Sequence, residues 1–197
     1  MSLKRTLVVI GTLAALAGCS QVDAPSRAAP FVAPELQGGA TAPALRSYEV
    51  RDVRVVVPAD LSVSEANSFY PVADIVWRGD AFGDRKQQVA EIIATAFQAG
   101  TAGSDGAIPV VIDITVERFH SLTERTRYTV GGVHSINFVM SVRHAETGAY
   151  IEAPRSIDAS FPGLGGQAAI EAEQRGQGQK VRILDHLAGV ARQELGV

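Results

Sequence analysis

The sequence predicts an α+β domain: a mixed four-stranded sheet in the order β-α-β-β-β-α, with two helices packed on one face. Two observations carry that expectation. Four segments alternate apolar and polar side chains with a period of two, and two segments repeat apolar residues at helical spacing. One polar face in each strand means that only one side of the sheet is covered.

The first strand is read from "SYEVRDVRVVVP", where Val53, Val55 and Val57 share one parity and Tyr48 and Val50 the other. The slip at Arg51-Asp52 predicts a bulge or bend. The first helix follows from Val89, Ile92, Ile93, Ala96 and Phe97, with Gly100 ending the run. Strand alternation returns at Ile108, Val110, Ile112, Ile114 and Val116, then at Ile136, Phe138, Met140 and Val142, and last at Ile151, Ile157, Ala159 and Phe161. Glu146-Thr147-Gly148 makes a turn between the last two strands, and Ser121 to Gly132 is a longer connection. The closing helix carries Val181, Leu184, Leu187, Ala188, Ala191 and Leu195, joined by Ile183 and Val190. Gly165-Gly166 is a plausible boundary before it, and Gly176 and Gly178 weaken its middle. A helix between the first two strands makes them parallel with a right-handed crossover, and the later strands form a meander.

Ahead of this domain, residues 46–197, lie two segments of different character. Residues 1–18 have the parts of a bacterial export signal: Lys4 and Arg5, then an apolar run from Thr6 to Ala17. That run is shorter than the roughly 20 apolar residues a membrane span requires. Leu16-Ala17-Gly18-Cys19 resembles the lipobox of bacterial lipoproteins. The resemblance implies cleavage between Gly18 and Cys19, diacylation of the Cys19 thiol and acylation of the new amino terminus. Ser20, where a retention signal would carry Asp, implies the outer membrane, with the domain facing the periplasm. Cys19 is the only cysteine, so no intrachain disulfide forms. Residues 19–45, with Pro25, Pro30, Pro34 and Pro43 among Ala, Gly and small polar residues, read as a flexible tether. Its end-to-end distance as a coil is about 30 Å.

Charge narrows the partners. Removing residues 1–18 takes away Lys4 and Arg5 and no acid, which leaves 16 basic side chains against 21 acidic ones. That balance argues against nucleic acid, which needs a basic face. The expected partners are a membrane, through the acyl chains, and an envelope protein.

The stretch "VWRGDAFGDRKQQV" invites three readings. Arg78-Gly79-Asp80 spells an adhesion tripeptide, but three letters recur by chance. Asp74, Asp80 and Asp84 lack the alternating ligands and closing Glu of a calcium loop. Helix initiation accounts for them best: Asp84 and Gln87 have capping-box spacing, with Asp80 the other candidate cap. Trp77 is expected to pack under the loop with its indole N–H satisfied.

Together with "GGQAAIEAEQRGQGQKVRILDHL", the segment "VSEANSFYPVADIVWRGDAFGDRKQQV" resembles a family of Gram-negative lipoproteins known as a domain of unknown function. The resemblance covers the mature domain. It implies membership and an envelope compartment, and it brings no activity with it. The element order is also similar to small modules of envelope-assembly lipoproteins and of the Tol system's periplasmic protein.

Signals for chemistry are weak. His134 and His144 lie about 33 Å apart along one strand, too far to share an ion. His120 and His134 are placed to face each other across a hairpin, with Glu124 nearby, but no HExxH or paired Cys/His spacing supports a metal. The histidines read as polar rim residues, with His186 at the edge of the last helix. No nucleophile motif or phosphate loop is present, and Glu171 and Glu173 lie on different helix faces. The expectation is a non-catalytic binding or assembly accessory without cofactor. The alternative is a small periplasmic hydrolase or ligand-binding domain with a site between sheet and helices. For an interaction site, the loop from Ser64 to Asp84 stands out, with Phe69, Tyr70, Trp77, Arg78, Asp80 and Arg85 as candidate contacts. The competing and favoured reading is that its aromatics merely close the core.

Overall fold

A computed structural model describes residues 47–197. The export signal, the Gly18–Cys19 junction and the tether lie outside the described residues. The expected α+β architecture is present. β1 (Tyr48–Val56), β3 (Ile108–His120), β4 (Gly132–His144) and β5 (Tyr150–Asp158) stand in the sheet order β1-β3-β4-β5. β1 is parallel to β3, while β4 and β5 run antiparallel to their neighbours. Two short strands complete the edges. β2 (Ile75–Val76) pairs with Phe119 and His120 on the side that β1 takes farther back, and β6 (Phe161–Gly163) pairs with Gly132 to His134.

The slip read at Arg51-Asp52 is a register shift between Val50 and Asp52. A second irregularity, between Val116 and Arg118, inserts Glu117 into β3 without a partner on β4. Past that point the parity of β3 is reversed. Phe119, not Arg118, joins Val116 in the core.

α1 (Arg85–Thr101) and α4 (Gln179–Leu195) pack against each other over one face of the sheet. Val89, Ile93 and Phe97 of α1 and Ile183, Leu187 and Leu195 of α4 are fully buried. The stripe on α4 therefore centres on Ile183, and Val181, expected within it, is 36% exposed. The expected single closing helix is two. α3 (Gly166–Gln174) ends before Gly176, at φ 76°, and α4 begins after Gly178. Gly100 does not end α1, which runs on to Thr101. A Cβ there would meet the Ala188 carbonyl oxygen at 2.4 Å, so its bare backbone lets α1 and α4 touch. The Ser121–Gly131 connection holds a single helical turn, α2 (Glu124–Arg127), capped by the Thr123 hydroxyl.

In the core, Phe97 meets Phe138 edge-on at 5.6 Å between centroids, and Trp77 meets Phe119 at 5.9 Å. The opposite face of the sheet carries Asp113, Thr115, Arg118, His120, Ser135 and Asn137, as the alternation requires. Among the described residues, no helix is long and apolar enough to cross a membrane.

Candidate functional site

The segment from Ser62 to Asp84 is fixed from within, and the Trp-Arg-Gly-Asp letters do the fixing. Trp77 is fully buried, and its indole N–H donates to Asp80 Oδ2 at 2.9 Å. Gly79 lies on the indole ring, where a Cβ would come within 2.3 Å of it. Asp80 also accepts from Lys180 Nζ of α4 at 2.6 Å. Burial pushes its carboxyl up, but the hydrogen bonds from Lys180 and Trp77 outweigh burial and hold it below the usual range. Arg78 donates to Glu124 Oε2 of α2 at 2.5 Å and to the Glu65 carbonyl at 2.6 Å. Arg85, 6% exposed, grips the Glu65 carboxylate with Nε at 2.6 Å and Nη2 at 3.1 Å. That hydrogen-bonded grip lowers the Glu65 pKa.

Of the six candidate contact residues, this geometry separates two groups. Trp77 and Arg85 are buried, and Arg78 and Asp80 are partly buried and spent on internal partners. All four are engaged as internal fasteners, and only Arg78 and Asp80 keep part of their surface open. Phe69 and Tyr70 remain available, at 38% and 84% exposed. The aspartates are likewise spent one by one. Asp74 accepts from the Ser62 N–H and hydroxyl. Asp84 caps α1 by accepting from Gln87 N–H at 3.0 Å. The reciprocal half of a capping box is absent, because the Gln87 side chain turns forward to Glu91.

Phe69 and Tyr70 form one wall of a groove of about 340 Å³ on the face of the sheet opposite α1 and α4. Pro71, Leu122 and Val133 continue the apolar lining, and Arg118, His120 and Ser135 form its polar part. The wall is pinned from α2: Thr123 Oγ1 donates to Ser68 O, Thr126 Oγ1 donates to Phe69 O, and the Arg125 guanidinium lies 4.7 Å over the Phe69 ring. Arg118 donates through Nε to Ser135 Oγ and sits 2.7 Å from His120 Nδ1. Burial and then the Arg118 charge lower the His120 pKa, so its ring is neutral at pH 7. Sequence reasoning missed Arg118, which only the Glu117 bulge turns with His120 toward Ser135, and Leu122 and Val133, which strand register and the α2 turn bring to the groove.

The same bulge separates the histidines expected to face each other. His120 pairs with Ser135 on the open face, while His134, one residue away in register, is 2% exposed on the core side. His134 is thus no rim residue. Burial, then the charges of Arg182, Arg127 and His186, push its pKa down to about 4. His134 Nδ1, Arg127 Nε and Gln179 Oε1 are buried without a hydrogen-bond partner, and their residues line one small space of about 10 Å³. His186 lies at an edge, as expected, stacked on Phe161 at 4.1 Å. Among the described residues, no three His, Cys, Asp or Glu side chains gather closely enough to hold a metal ion.

No curated protein matches the chain. Among solved structures, a candidate lipoprotein from Caulobacter crescentus CB15 is 16% identical, over 77% of this chain and 88% of that one, with a TM-score of 0.37. Protein XCC0632 from Xanthomonas campestris, of the DUF330 family, is 13% identical over 77% of this chain and 84% of that one, with a TM-score of 0.47. The resemblance to a domain of unknown function is borne out at the level of family: residues 48–197 match the family of unknown function DUF6778, and the chain belongs to it.

Proposed function

We propose that this protein is a lipid-anchored accessory of the bacterial envelope that binds a partner through the groove beside Phe69 and Tyr70 and performs no chemistry there. One observation carries the reading. Exposed aromatic side chains stand on a segment held rigid by Arg78, Arg85 and α2, next to an open groove. Aromatic anchors on a rigid support suit recognition, since little ordering entropy is lost on contact.

The fate of the titratable groups supports a non-catalytic role. Glu65, Asp80 and Glu124 are each held ionised by arginine, lysine or indole partners, which leaves none of these three poised to exchange protons near neutral pH. The position of the groove also fits a tethered domain. The described chain enters β1 at Tyr48, beside Ile108 at the start of β3, whereas the groove borders His120 at its end. At about 3.3 Å per residue those points are roughly 40 Å apart.

Two measurements test this reading. Cys19→Ala should move the protein from the membrane fraction to the soluble one; retention at the membrane would remove the anchor. A photo-crosslinking residue at Tyr70 should capture one recurrent envelope protein in intact cells, while the same probe at exposed Glu91 on α1 should not. Equal yields from both positions would refute the groove as the binding surface.

A further inference from the structure

The lining of the groove is chemically lopsided. Phe69, Tyr70, Pro71, Leu122 and Val133 supply apolar surface, and no carboxylate stands among the lining residues. Arg118 makes no ion pair among the described residues. Its partners are a hydroxyl and a neutral imidazole, Ser135 Oγ at 3.2 Å and His120 Nδ1 at 2.7 Å. Asp74 feels its charge, but Asp74 Oδ2 already accepts two hydrogen bonds from Ser62, one from its backbone N–H and one from its hydroxyl. A guanidinium with five donors, two of them satisfied by neutral groups, stands at one side of an apolar trough. In a chain of net charge −3 a guanidinium with no carboxylate partner, beside apolar surface, suits an anion. The size, about 340 Å³, is that of a small-molecule site.

We propose that the groove binds an amphiphile with an anionic headgroup, a carboxylate or a phosphate, placing the headgroup on Arg118 and the hydrocarbon chain along Phe69, Tyr70, Pro71 and Val133. This rests on the reading of the groove as the binding surface and names what fills it. Arg118 and Ser135 both lie on the sheet, so two donors with a fixed spacing meet the headgroup oxygens. Val133, 56% exposed, and Tyr70, 84% exposed, then lose their water-facing surface to the chain.

Titration calorimetry on the exported chain carrying Cys19→Ala, so that no attached acyl chain competes, tests the proposal. The probes are dodecanoate, dodecyl phosphate, dodecyltrimethylammonium and inorganic phosphate, each below its micelle-forming concentration. Both anionic amphiphiles should bind about tenfold or more tightly than the cationic one. Arg118→Gln should erase that preference, and Val133→Asp, at an exposed position, should weaken both anionic probes with the melting temperature unchanged. Equal binding of the cationic amphiphile, binding of inorganic phosphate as tight as dodecyl phosphate, or no binding at all would each overturn the proposal. If dodecanoate alone binds, the headgroup is a carboxylate; if dodecyl phosphate alone, a phosphate. Failure here with the Tyr70 crosslink intact would leave the partner-binding reading standing and remove only the amphiphile.

Discussion

The two faces of the sheet are built from the same strands and differ in every physical respect. On the covered face, Ile112, Ile114, Ile136, Phe138 and Met140 meet α1 and α4 and are sealed from water. On the open face, neighbouring residues form local ion pairs such as Arg143 with Asp113 at 2.6 Å, then give way to the groove at Arg118 and His120. The first face specifies the fold. The second is free to carry recognition, because its side chains contribute little to stability. The free edges follow the same logic: Arg51, Asp52 and Arg54 on β1, and Glu152, Pro154 and Arg155 on β5, deter further strand pairing.

The sharpest way to break the comparison is to truncate one residue on each face. Phe138→Ala removes the partner of Phe97 and should cost about 3–5 kcal/mol. Thr115→Ala, exposed on the other face, should stay within about 0.5 kcal/mol. Urea titration of both variants measures the contrast; equal losses would mean that the open face is also structural.

The next effect separates the histidines by pH. His134 has a folded-state pKa of about 4 against an ordinary 6.5. Between those values the unfolded chain takes up a proton that the native state refuses, so stability is intact above pH 6.5 and falls as pH drops toward 4. The shift corresponds to about 3 kcal/mol over that window. The depressed carboxylates Asp80, Glu65 and Glu124 act in a lower range, losing their contribution as pH falls through their folded values. Thermal melts from pH 7 to 4.5 should therefore show a slope that His134→Phe flattens.

Smaller effects probe the loop that borders the groove. Gly79→Ala drives a methyl group into the indole of Trp77 and should cost about 1–3 kcal/mol, read as a lower melting temperature. Asp84→Ala removes the cap of α1 and should cost about 1 kcal/mol.

Much of the covered face was legible because burial writes a period into the sequence. The alternation from Ile108 to Val116 and the helical spacing from Val89 to Phe97 both place the core correctly. The slip at Arg51-Asp52 was also legible, since two valine parities collide there. The bulge at Glu117 was not: one added residue in "TVERFH" leaves no apolar mismatch until Phe119, and it moves His120 to the opposite face from His134. The groove was half legible. Phe69 and Tyr70 lie together in sequence, but Arg118, Leu122 and Val133 reach them only through strand register and the α2 turn. The seat of Trp77 under the loop with its indole N–H satisfied was legible; the burial of Arg85 was not, because the composition of a binding patch and that of an internal clamp are alike.

The seating of Trp77 has an optical consequence. It is the only indole in the chain, shut away from water, hydrogen-bonded to Asp80 and roofed by the backbone of Gly79. Its emission should be blue-shifted in the native protein and move to the red whenever the Ser62–Asp84 segment lifts. The molecule thus carries its own fluorophore at the base of the loop, so unseating of that segment can be followed with no label attached.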